Sequence, residues 1–62
     1  MDAANVAAVG RLRELVKNLA DDLEAELNGR YRIGGEIHPA EERRYQRDMS
    51  IVYEARRFLA GV

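Results

Sequence analysis

The sequence predicts an all-α fold: two helices running antiparallel as a hairpin, with two such hairpins associating into a four-helix bundle. Apolar residues recur at steps of three and four in both halves of the chain, the spacing of a helix face and not of a strand. A glycine-bearing segment, residues 29–38, separates the two patterns. Both apolar arcs are also wider than one partner helix covers.

Helix 1 is expected over about residues 4–28, a single pattern built on Val9, Leu12, Val16, Leu19 and Leu23, with Leu15 and Leu27 flanking. Asp2 or Asn5 would cap it, and Asn28-Gly29 supplies the stop signal, with Gly29 suited to a left-handed position. Helix 2 is expected over about residues 39–60. Pro39 fits the first helical position, Glu41 and Glu42 complement the helix dipole, and His38 becomes the N-cap. Tyr45, Met49, Val52 and Leu59 form its apolar face, broadened by Ile51, Ala55, Phe58 and Val62, and Gly61 ends it. In the linker, Tyr31, Ile33 and Ile37 are β-prone and Gly34-Gly35 has the form of a two-residue hairpin turn. Arms that short are marginal alone, so the expectation is an irregular loop with Ile33 and Ile37 folded back over the bundle end.

The chain has 62 residues, with 10 basic against 11 acidic side chains and no cysteine. That is one small domain, near the size where a lone core becomes marginal, and no disulfide or thiolate–zinc site supplements it. At 47% hydrophobic and 34% charged it is too apolar for disorder and too charged for a membrane span. The start, Met1-Asp2-Ala3-Ala4, lacks the basic region of a signal peptide, so a cytoplasmic location is expected.

Charge favours the antiparallel pairing. Residues 1–28 carry six acids against three bases, and residues 29–62 carry seven arginines against five acids. A hairpin brings the acidic end of helix 1 beside Arg43, Arg44 and Arg47, and sets Ala3, Ala7 and Gly10 against Phe58 and Leu59. Helix 1's apolar arc covers about 120–140° and helix 2's about 180°, where one core needs about 100°. Twofold association of two hairpins is the simplest remedy; burial on another protein, or cover by the loop, are the rivals. The expected core and dimer residues are therefore Leu12, Leu15, Val16, Leu19, Leu23, Tyr45, Met49, Val52, Phe58 and Leu59.

Little here points to catalysis, a metal or a cofactor. His38 is the lone histidine, and with Glu36, Glu41 and Glu42 it falls short of a convergent metal site; a helix-start residue is the better reading. Ser50 has nothing nearby to activate it. Asp22 and Glu26 share a helix face as an acid/base pair can, but a solvated face explains them. Gly34-Gly35 lacks the Lys and Ser/Thr of a phosphate-binding loop. Asp48 falls inside helix 2's apolar arc, where Arg44, Arg13 or water would satisfy it.

The candidate binding residues are Arg30, Tyr31, Arg32, Arg43, Arg44 and Arg47, where bases interleave with aromatics. That texture suits ion pairing within the assembly, an acidic patch on a protein partner, or nucleic acid. The net charge of −1 and the acids Glu41, Glu42 and Asp48 weigh against nucleic acid.

The runs Leu19-Ala20-Asp21-Asp22-Leu23-Glu24-Ala25-Glu26-Leu27 and Arg43-Arg44-Tyr45-Gln46-Arg47-Asp48-Met49 resemble, in style, the short accessory proteins of bacteriophages and prophages. The likeness covers about half the chain and carries no diagnostic motif. It implies a protein that acts by binding: an inhibitor, a transcription cofactor or an assembly factor. The functional expectation is a non-enzymatic protein-interaction module, dimeric, with nucleic-acid binding as the alternative.

Overall fold

The computed structural model describes residues 3–61, so Asp2 and Val62 lie outside the described residues. Helix α1 spans Ala3–Tyr31, strands β1 (Arg32–Ile33) and β2 (Glu36–Ile37) form a small ribbon, and a 3₁₀ turn at Pro39–Glu41 leads into helix α2, Glu42–Gly61. The helices form an all-α hairpin and run antiparallel, as Tyr45 at the start of α2 reaching Asn28 near the end of α1 requires.

Helix α1 runs three residues beyond Asn28, and Gly29 does not take the left-handed conformation its stop signal suggested; among the described residues only Gly34 and Gly35 have positive φ. Asn28 has other work. Its Oδ1 accepts from the Tyr45 hydroxyl at 2.6 Å and from Arg32 Nε at 3.1 Å, tying the last turns of α1 to α2 and to the ribbon. At the other end Asn5 lies inside the helix and does not cap it.

The linker is ordered, not irregular. Arg32 pairs with Ile37 and Ile33 with Glu36, across a turn whose two glycines sit at φ 64° and 86°, a combination only glycine adopts without strain. Two-residue arms hold because α2 clamps them. The Arg32 guanidinium lies 5.5 Å from the Tyr45 ring centre and donates to the Gly35 carbonyl at 3.1 Å. Ile37 packs on the core as expected, whereas Ile33 projects at the tip, 83% exposed.

His38 caps the 3₁₀ turn: its Nδ1 accepts from the Ala40 N–H at 3.1 Å and its carbonyl from Glu41 N–H at 2.8 Å. The core is Ala20, Leu27, Tyr45, Met49 and Val52, with Leu23, Tyr31, Ile37 and Ala55 packed against it. It occupies only the ribbon end of the hairpin. Measured from the Asn28–Tyr45 contact, α1 extends about nine residues, roughly 13 Å, further than α2. Residues Ala3 to about Val9 therefore project past Gly61 as an arm. Ala3 and Ala7 are on it, and Gly10 lines an open hollow with Leu59 with no side chain packed over it, so the expected layer of small residues against Phe58 and Leu59 does not form.

Candidate interaction surface

The two flanks of the hairpin differ in chemistry. On one, Arg56 of α2 reaches α1, with Nη1 2.9 Å from Glu24 Oε2 and Nη2 at 3.1 Å from both Glu24 Oε1 and Asp21 Oδ1. Lys17 adds a contact to Asp21 at 3.5 Å. The hydrogen bonds from Arg56 hold the carboxyls of both Asp21 and Glu24 below their ordinary range, and those acids in turn raise the guanidinium pKa. Arg56, not Arg43, Arg44 or Arg47, thus makes the ion pairs between the helices. Its signal in the sequence was a base at one and two turns from Val52 and Met49, on the face turned to α1.

The other flank is apolar and open. Val9, Leu12, Val16 and Phe58, with Arg13, line one groove, and Val16, Leu19, Leu23, Ile51 and Ala55 line the next, over Ala20 and Val52. Val16 belongs to both, so they form one furrow between the helices. Val9, Leu12, Leu19, Ile51 and Phe58 are each 50–67% exposed, and Leu15 is exposed beside them. Of the expected core residues, Tyr45, Met49 and Val52 are buried, Val16, Leu23 and Leu59 are half-buried, and Leu12, Leu15, Leu19 and Phe58 face outward.

The surface area tells the same story. The chain exposes 4996 Å², whereas size scaling gives about 4,000 Å² for a compact monomer of this mass. Its radius of gyration is 15.2 Å, against about 11 Å for a globule of this length. The excess of roughly 1,000 Å² is of the order that one partner contributes to a standard protein interface, about 800 Å².

The six candidate binding residues gather at the ribbon end, but most are engaged within the chain. Arg30 pairs with Glu26 at 3.2 Å, Arg44 with Glu41 at 3.8 Å and Arg47 with Asp48 at 3.3 Å. Arg32 clamps the ribbon, and Arg43 is exposed on the first turn of α2. Tyr31 donates to Asp48 Oδ2 at 2.7 Å and meets Tyr45 edge-on at 5.8 Å. Asp48 is therefore satisfied by Tyr31 and Arg47 and not by Arg44 or Arg13. That hydrogen bond lowers the Asp48 pKa and raises that of Tyr31. Arg30, Tyr31 and Arg44 share a shallow hollow with Ile33, His38 and Glu41, in which the acid interrupts the positive charge.

Ser50 Oγ donates to the Arg47 carbonyl at 2.6 Å, a bond internal to α2. Among the described residues, no group of three or more His, Asp or Glu side chains is placed to hold a metal ion, and no helix is long and apolar enough to cross a membrane. No family model, curated protein or solved structure matches the chain.

Proposed function

We propose that the chain is a non-enzymatic protein-interaction module that works as a homodimer. Two hairpins close their apolar flanks into a four-helix bundle, whose arginine-bearing ribbon ends contact an acidic surface on a protein partner. The function class is that of an inhibitor, regulator or assembly factor. The observation that carries the reading is the furrow from Val9 and Phe58 to Leu23 and Ile51, lined by apolar side chains apart from Arg13, with Val9, Leu12, Leu19, Ile51 and Phe58 exposed along it. Patches of this kind mark interaction sites on soluble proteins. Nucleic acid is supported less, because Glu26, Glu41 and Asp48 interleave with the arginines that would meet phosphate.

Sedimentation equilibrium at tens of micromolar tests the reading. A mass of twice 7.0 kDa is expected, and Leu19→Glu should dissociate the dimer and lower helicity with it, because folding and association are then coupled. A fully helical monomer whose melting is unchanged by dilution contradicts the proposal.

A further inference from the structure

Along the hairpin each step down α1 is matched by a step back along α2. Asn28 meets Tyr45, Leu19 and Leu23 share a groove with Ile51, and Val9, Leu12 and Val16 share one with Phe58. In that register Leu15 is level with Phe58, and Glu26 is level with Arg47. Leu15, Leu19 and Glu26 follow one stripe of α1 at whole-turn spacing, and Arg47, Ile51 and Phe58 follow one stripe of α2. All six are exposed. The two stripes form the outer edges of the apolar flank, so within one chain they point away from each other.

We infer that two copies join about a twofold axis parallel to the helices, with α1 of each lying on α2 of the other and the two ribbons side by side at one end. The inference rests on the reading that the apolar flank joins two copies. Rotation about this axis keeps every residue at its own level, so the register within a chain is also the register between chains. Nothing is left to slide. Leu15 of one copy covers Phe58 of the other, Leu19 enters between Ile51 and Ala55, and Glu26 meets Arg47, each contact occurring twice. Glu26 keeps its own Arg30, and Asp48 keeps the hydrogen bond from Tyr31, so Arg47 gives up only a contact to its sequence neighbour. The ribbon-end layer stays balanced, with Arg30, Arg44 and Arg47 against Glu26, Glu41 and Asp48 in each chain.

The other twofold, perpendicular to the helices, lays α1 on α1 with the ribbons at opposite ends. Centred beside Val16, the middle of the apolar stretch, it sets the charged Glu26 level with Val6 of the other copy. It also carries Ile51 past the end of the other α2 at Gly61, where no residue of that helix covers it. The parallel axis matches apolar to apolar and acid to base along the whole flank. The exposed area in excess of a compact monomer, roughly 1,000 Å² per chain, is enough for a standard interface. With the ribbons together, one acidic partner surface meets both of them.

The ribbon tip reports the arrangement directly. Ile33 is 83% exposed and the chain has no cysteine, so Ile33→Cys carries a single spin label without disturbing the core. Pulsed dipolar spectroscopy should give one interchain distance below about 30 Å, since the helices of a bundle pack about 8–10 Å apart. Ribbons at opposite ends would put the labels about 50 Å apart at 1.5 Å per residue. A distance of that size overturns the shared end while leaving self-association standing, and a monomer in parallel sedimentation overturns both. Arg47→Glu should weaken dimerisation about tenfold at low salt, and adding Glu26→Arg should recover it to within about threefold. Failure of the pair to recover contradicts the register.

Discussion

The two ends of the hairpin are built differently. At the ribbon end Leu27, Tyr45, Met49 and Val52 are buried with Tyr31 and Ile37 packed against them, and the polar groups reaching inward are matched: Tyr45 with Asn28, Tyr31 with Asp48, Arg32 with Asn28 and the Gly35 carbonyl. At the open end the same helices carry Val9, Leu12, Leu19 and Phe58 with half or more of their surface in water. Both ends share the same helical periodicity, so helix-forming pattern does not separate them. What separates them is a third element. The ribbon and Ile37 cap one end, and the other has only two helices, which cannot cover each other's arcs. An end that is finished within the chain is expected to answer to mutation as a core does, and an end finished by association should answer to concentration.

The sharpest contrast is between Met49→Ala and Leu12→Ala. Met49 is 1% exposed in the packed end, and its loss should cost about 2–5 kcal/mol at any protein concentration. Leu12→Ala should be nearly silent in dilute protein and destabilising when concentrated, as denaturant titrations at two concentrations will show. Equal, concentration-independent losses for both would erase the distinction between the ends.

A smaller effect is expected from Asn28→Ala. It leaves the Tyr45 hydroxyl without its acceptor and frees Arg32, for a loss of about 1–3 kcal/mol and a visible change in the ribbon's amide signals. Stability that is unchanged in this variant would show that the ribbon does not depend on its clamp.

The least effect comes from pH. Asp21, Glu24 and Asp48 have lowered pKa values, so their contribution is fully present above the ordinary carboxylate pKa, about 4, and is lost as pH falls through the lowered values. Tyr31 has a raised pKa, so its contribution is present below about pH 10 and is lost as pH rises through the raised value. Denaturation midpoints should be flat between these limits. Arg56→Gln should shrink the acid limb, and Tyr31→Phe should remove the alkaline one. These groups are near solvent, so salt should weaken the Arg56 part.

How much was legible in the sequence follows the same division. Helix existence, the His38 cap and the buried trio Tyr45, Met49 and Val52 were readable because each rests on local pattern or local capping chemistry. The end of α1 was not, because Asn28 reads as a stop and is used instead as a tertiary acceptor. The ribbon was not, because its arms are too short to stand without Arg32 on Tyr45, a contact thirteen residues apart that no local rule contains. Asp48 was recognised as needing a partner, but the partner, Tyr31, comes from the last turn of α1. Of the surface, the excess apolar arc was legible as an angle on a helical wheel. Where it opens was not, since that depends on the length by which α1 outruns α2.

Amide hydrogen exchange, read residue by residue at low and high protein concentration, tests the central claim most directly. If the open end is completed by a second copy, protection over residues 9–16 should be weak in dilute protein and rise as concentration increases, with the Met49 and Val52 amides changing least. Protection over residues 9–16 that is the same at both concentrations would contradict it.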